Sequence, residues 1–160
     1  MTKLPMLVDS ATCSACGGYC CKTAPGYTSP DDWGAPDQVL MLGRLITAFS
    51  TGKWTIDTAT AAGRHFYRVR PAKVDPDGWR LFDERSAMPG RCVFLTETGC
   101  EFSHNDRPHE CRSLEPNPES PGKSCKQRTP PEYFLNAWAP YNDVVEHAAA
   151  LGASGLDLDT

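Results

Sequence analysis

The cysteines constrain this chain more than anything else in it. Eight of them fall in two groups of four. Cys13, Cys16, Cys20 and Cys21 lie inside the run CSACGGYCC, and Cys92, Cys100, Cys111 and Cys125 are spread over the later half. Two groups of four thiols match the needs of two tetrahedral metal sites, or of one polynuclear cluster with thiols to spare. The Cβ atoms of adjacent residues diverge, so Cys20 and Cys21 are expected to serve different sites or to bridge two metals. That predicts interleaved ligation, with the N-terminal group joined in space to the hairpin that carries Cys92 and Cys100 and to Cys111. Metal then closes the fold and contributes directly to its stability.

Composition fits a chain that needs such cross-links. At 160 residues one domain is expected. Hydrophobic residues make up 40% including the cysteines, while 13 Gly and 14 Pro imply many turns and short elements. The net charge of −4 argues against a nucleic-acid binder that works by neutralising phosphates. Between Arg64 and Arg128 there are twelve basic and ten acidic residues; from Thr129 to the end there are five acidic residues and no basic one. A basic middle could offset thiolate charge, although an ordinary mixed surface also accounts for it. The first residues, MTKLPMLVDSATCSAC, hold no apolar run of secretory length, and no stretch reaches the ~20 apolar residues of a membrane span. The expectation is a cytoplasmic protein with no membrane partner. Thiols stay reduced in that compartment, which favours metal over disulfides.

The pattern of elements predicts an α+β chain: a small, irregular, metal-stabilised single domain with short helices, a β-hairpin and long loops. Residues 1–12 read as a leader and 13–128 as the cysteine-cluster domain. Residues 129–152 read as a helical segment packed on that domain, and 153–160 as a flexible tail. Ser29-Pro30-Asp31-Asp32 has the form of a helix start, with a cap, proline at the first position and acids in the first turn. A stronger helix is expected from Asp37 to Ser50, burying Val39, Leu42, Leu45, Ile46 and Phe49, with Gly52 ending it. Trp54–Asp57 and His65–Arg70 read as strands, the second stopped by Pro71. Arg68 and Arg70 then share one face, expected to be solvated. Residues 75–90 read as loop. Arg91–Leu95 and Cys100–Phe102 flank a turn containing Gly99, a hairpin that would set Cys92 and Cys100 close together at its two sides. Asp106-Arg107-Pro108 precedes a helical turn carrying Cys111. Residues 115–131 read as a proline-rich connection, and 131–151 as two helices split by Pro140.

Three segments together, CSACGGYCC, RCVFLTETGC and RPHECR, resemble the CxxCxxCC cysteine-cluster family, a domain described as zinc- or iron-chelating and sometimes as Fe–S-cluster-containing. That family combines a dense N-terminal cysteine run, a later C-x-F-L…G-C, a downstream R-P-x-x-C-R and one further cysteine. This chain supplies each part in order, with Cys125 as the last. Three residues separate Cys16 from Cys20, where the family name implies two. The resemblance implies metal binding through eight cysteines and no settled reaction. One flagellin lysine methylating enzyme is similar in carrying such a domain with an Fe–S cluster, which keeps redox chemistry open. Arg107 and Arg112 match the arginines of R-P-x-x-C-R. Beside a thiolate cluster they could donate to sulfur from just outside the ligand set.

All-thiolate tetrahedra suit Zn²⁺ and Fe–S clusters alike. Zinc in a closed structural site is the favoured reading, and an Fe–S cluster or iron the alternative. His104 and His109 are possible alternative ligands, while His65 and His147 read as exposed. The run lacks the spacing of bacterial ferredoxins. There is no phosphate-binding loop, dinucleotide fingerprint, HExxH or nucleophile elbow, so no catalytic residue is assigned and the sequence leaves open whether the protein is an enzyme. The function read from the sequence is therefore metal binding, zinc being mainly structural and presenting a surface to an unnamed protein partner. The alternative is an Fe–S redox protein or metalloenzyme component, and a weaker third reading is metal storage or delivery. Oligomeric state is not specified.

Overall fold

The structure is a computed structural model. It describes residues 25–61, 63–74, 90–97, 99–116, 125–127 and 129–158. The leader, the N-terminal cysteine run and nearly all of the 75–90 loop lie outside the described residues.

The first described turn follows its sequence closely. Pro30–Trp33 forms a 3₁₀ helix behind Ser29, whose backbone N–H donates to Asp32 Oδ2 at 3.0 Å. Gly34, at φ 107°, closes it in the left-handed region that favours glycine. Helix α1, Gln38–Ser50, starts at Asp37, whose carboxylate accepts the Leu40 N–H at 3.0 Å. Its buried face is Met41, Leu45, Ala48 and Phe49, with Leu42 and Ile46 half-buried. Val39 is 84% exposed, contrary to the expected stripe. Two residues turn the helix by about 200°, so once Met41 faces the core Val39 must face away.

Strands β1, Trp54–Ala61, and β2, Arg64–Pro71, form an antiparallel hairpin in full register from Trp54↔Pro71 to Ala61↔Arg64. Gly63, at φ 74°, occupies the turn. Both strands run longer than expected, because each residue of one finds a ladder partner on the other. The ladder continues as Ala72 N–H donates to Lys53 O at 2.8 Å. Beyond it, β3, Lys73–Val74, pairs antiparallel with β4, Arg91–Cys92.

The expected hairpin is present, but it starts later and holds different partners. Strands β5, Leu95–Thr96, and β6, Gly99–Cys100, pair Leu95 with Cys100 and Thr96 with Gly99. Only two residues lie in the turn, and Gly99 belongs to the returning strand. Cys92 and Cys100 are therefore not opposite one another. The tight turn uses up the register at Leu95, and Cys92 is drawn to Lys73 instead.

Helix α2, His109–Arg112, is a single turn entered from Pro108 and carrying Cys111. The proline-rich stretch expected to be a connection contains a short ladder, β7, Leu114–Pro116, against β8, Cys125–Gln127. The backbone of Cys125 thereby lies opposite Pro116. Helix α3, Pro131–Trp138, and helix α4, Asn142–Leu158, are joined by a 3₁₀ turn at Ala139–Tyr141, where Pro140 was expected to split them. Helix α4 extends to Leu158. A Cβ at Gly152 would lie 2.7 Å from Phe49 Cβ, so the glycine lets α4 settle directly on α1.

One core unites these elements. Trp33, Met41, Leu45, Phe49, Val69, Phe134, Trp138, Val145 and Ala148 form a buried cluster in which the helices cover the β1–β2 hairpin. Asn142 pins the start of α4 to β2 by donating to His65 O at 2.8 Å and accepting from Tyr67 N–H at 3.3 Å. The result is an α+β fold in a small single domain. Among the described residues no helix is long and apolar enough to cross a membrane.

Candidate metal centre

The segment that follows the N-terminal cysteine run is fastened from every side. Thr28 donates its N–H and its hydroxyl to Val69 O at 2.9 and 2.8 Å. Its hydroxyl accepts Trp33 Nε1 at 2.8 Å, and its carbonyl accepts Trp138 Nε1 at 2.7 Å. Tyr27 and Glu110 exchange two bonds: Tyr27 N–H to the Glu110 carboxylate at 3.1 Å, and Glu110 N–H to Tyr27 O at 3.0 Å. This exchange lays residues 26–28 alongside α2. Gly26 then meets Cys111 so closely that a Cβ on it would stand 2.6 Å from Cys111 Sγ. Cys21 is five residues before Gly26. Covalent reach alone keeps it within about 18 Å of that contact.

Beneath this segment lies a buried polar group that the sequence reading missed. Asp57 and Arg70, 2% and 1% exposed, form a two-bonded ion pair at 2.7 and 2.9 Å. The Tyr27 hydroxyl donates to the same carboxylate at 2.7 Å, and Arg68 stacks over the Tyr27 ring at 4.3 Å. The arginine face of β2 is thus enclosed by the chain returning from the cysteine run, not solvated. Burial would push the Asp57 carboxyl up, but the bonds and charge of Arg70, helped by Tyr27 and Lys73, hold it below the ordinary carboxylate range. Burial and the adjoining Asp57 raise the Tyr27 hydroxyl far above its usual value. A lone acid inside the Trp54–Ala61 strand was the available signal; the register sets Arg68 opposite it, and only the side-chain bonds show that it serves Arg70, one diagonal step along β2.

The residues flanking Cys111 hold α2 in place. Asp32 Oδ2 accepts the His109 N–H at 3.0 Å, and Asp32 Oδ1 pairs with Arg112 at 2.8 Å. Arg112 also donates to Arg107 O, and the buried Arg107 donates to Phe102 O at 3.3 Å. These bonds tie both arginines to backbone, and Arg112 to Asp32 as well. His109 stacks on Tyr133 at 5.1 Å and meets Phe134 edge-on at 5.6 Å. Burial lowers its imidazole below the ordinary histidine value, against the pull of Asp32. Burial likewise raises the Glu110 carboxyl, against its bond from Tyr27 N–H. His104 opens a 3₁₀ turn, His104–Asp106, and the exposed His65 and His147 are far from any described cysteine in sequence.

Of the eight cysteines, Cys13, Cys16, Cys20 and Cys21 lie outside the described residues, as does the side chain of Cys125. Cys92 is buried, and Cys100 and Cys111 are half-buried. Two residues on from each of the first two lies an aromatic ring, Phe94 and Phe102. Trp54 meets Phe94 at 5.1 Å, and Phe94 meets Phe102 at 4.5 Å. Among the described residues no three His, Cys, Asp or Glu side chains converge as a metal-binding group. Cys92, Cys100 and Cys111 therefore do not make a site by themselves. A site built on any of them needs ligands from beyond the described side chains. At Cys111 the close approach of Gly26 leaves the sulfur in a cradle that any larger residue would fill.

No protein-family model, curated protein or solved structure matches this chain.

Proposed function

We propose that this protein binds metal through its eight cysteines, Cys13, Cys16, Cys20, Cys21, Cys92, Cys100, Cys111 and Cys125, with Zn²⁺ as the resident ion and a mainly structural role. The Gly26–Cys111 contact carries the reading. It fixes the backbone leaving CSACGGYCC against the sulfur of a cysteine about 90 residues later in the chain. A chain held there supports interleaved ligation, and the resemblance to the CxxCxxCC cysteine-cluster family points the same way. When bound, zinc supplies a tetrahedral cross-link between thiolates. The chain's own part is to hold α2 and the 26–28 segment together through Tyr27, Glu110 and Asp32. On this reading the protein works in the reducing cytoplasm and presents its zinc-closed surface to a protein partner, with no nucleic-acid or membrane role.

Zinc titration of the reduced full-length chain, repeated on single Cys→Ser variants, tests the proposal. The expected result is stoichiometric uptake by the wild type and weakened uptake by C111S and by C13S, C16S, C20S or C21S. Uptake indifferent to C111S would overturn the assignment of that ligand. An Fe–S cluster is the alternative resident, and it would show itself as bound iron with acid-labile sulfide.

A further inference from the structure

The short β3–β4 ladder encloses a lysine, and lysines are seldom enclosed. Lys73 is 1% exposed, and its register partner Cys92 is 5% exposed. The phase of the ladder follows from one bond: Val93 N–H donates to Ala72 O at 3.0 Å. That bond flanks the Lys73–Cys92 bridge on one side, which makes Lys73 and Cys92 a non-hydrogen-bonded pair. In such a pair both side chains leave the same face of the ladder, and the Cα atoms approach to about 4.5 Å. A lysine stem of four carbons reaches past the neighbouring Sγ, and its ammonium carries three donors. The charge of Lys73 is felt by Asp57, which already accepts Arg70 through two bonds and the Tyr27 hydroxyl through a third. A thiolate across the ladder gives the ammonium a further anionic acceptor.

We infer that Lys73 is a positioning residue for the cysteine cluster: its buried ammonium donates to the sulfur of Cys92 and offsets the negative charge that metal-bound thiolates carry. The inference rests on the metal reading above, because it requires Cys92 to be a ligand. A zinc ion held by four thiolates carries a formal charge of −2, and enclosing such a charge is costly unless cations and N–H donors face it. A strand-borne cation directly opposite a ligand meets that need without recruiting a mobile side chain. It also assigns Cys92 a task separate from that of Cys111: Cys111 receives the backbone at Gly26, whereas Cys92 receives a charge.

The test measures zinc affinity of the reduced full-length protein by competition with a chromophoric chelator, for the wild type, K73M, C92S and the double variant. Methionine keeps the bulk of the stem and removes the charge. K73M is expected to weaken zinc binding by roughly 10- to 100-fold, the usual effect of removing a partner of a metal ligand. In the C92S background the same substitution should change affinity by no more than about twofold, since it acts through the missing sulfur. K73R, which keeps the charge, should recover most of the loss. K73Q, which keeps a donor but no charge, replaces K73M if that variant does not fold, and the same loss and the same cycle are expected of it. Zinc affinity unchanged in K73M, or a loss of equal size with and without Cys92, would overturn the inference while leaving the metal reading intact. A wild type that binds neither zinc nor iron would overturn both.

Discussion

The backbone of Gly26 rests on the sulfur of Cys111, with no room between them for a side chain. This contact sets the chain five residues past Cys21 against a member of the later cysteine group. It is held by the two bonds exchanged between Tyr27 and Glu110 and by Asp32, which grips both His109 and Arg112.

Gly26→Ala is the simplest probe of that contact. The new Cβ would lie 2.6 Å from Cys111 Sγ, and 3.2 Å from both Cys111 N and Glu110 Cβ, so the backbone must move. Overpacking of this kind costs about 1–3 kcal/mol. Urea unfolding should show that loss, and zinc titration should show weakened uptake in the same variant.

The Asp57–Arg70 pair makes a prediction in stability and in pH. Asp57→Ala leaves an enclosed guanidinium without its partner and should cost about 3–5 kcal/mol, whereas replacing both residues by apolar ones should cost less than that single change. Because the folded carboxyl titrates below its unfolded value, the pair's contribution is fully present above the ordinary carboxylate range. It is lost as pH falls through the folded value. Urea midpoints measured from neutral pH down into strong acid should therefore fall more steeply for the wild type than for Asp57→Asn.

Trp138 links α3 to the 25–29 segment that follows the cysteine run. Its Nε1 donates to Thr28 O at 2.7 Å, so Trp138→Phe strips a buried carbonyl of a donor at a cost of about 1–3 kcal/mol. Loosening the 25–29 segment should also speed zinc loss to a chelator. An unchanged rate would place that segment's anchorage elsewhere.

Two glycines should respond in opposite directions. Gly43 lies on α1 with nothing within 4 Å of an added Cβ, so Gly43→Ala should stabilise by about 0.5–1 kcal/mol through helix propensity. Gly152 presses on Phe49, so Gly152→Ala should destabilise by about 1–3 kcal/mol by forcing α4 off α1. Paired thermal melts of the two variants check the sign of each.

Local chemistry made parts of this fold readable before the structure. Asp37 caps α1 as the sequence suggests, because capping depends only on the next few residues. The β2 strand and the single helical turn carrying Cys111 likewise follow from nearby prolines and strand-forming residues. What escaped depends on tertiary partners. Val39 reads as core until the packing of Met41 fixes the rotation of α1. Arg70 reads as a surface charge until it reaches diagonally across the ladder to Asp57, past Arg68, which the register sets opposite that acid. Cys92 reads as the partner of Cys100 until the tight turn at Thr96 and Gly99 assigns Cys100 to Leu95. Leu114–Pro116 reads as loop because its strand partner lies beyond a stretch dense in proline. In the candidate site, the eight thiols were legible as residue types. The role of Gly26 was not, since only a long-range contact distinguishes it from any other loop glycine.

The most direct test of the metal reading is the metal content of the full-length protein, purified without oxygen, with its visible spectrum. The account predicts a colourless protein holding roughly one or two zinc ions per chain, as four-thiolate sites would. A brown protein with iron and acid-labile sulfide in equal amounts would replace zinc by an Fe–S cluster. A reduced chain holding neither zinc nor iron would contradict the account.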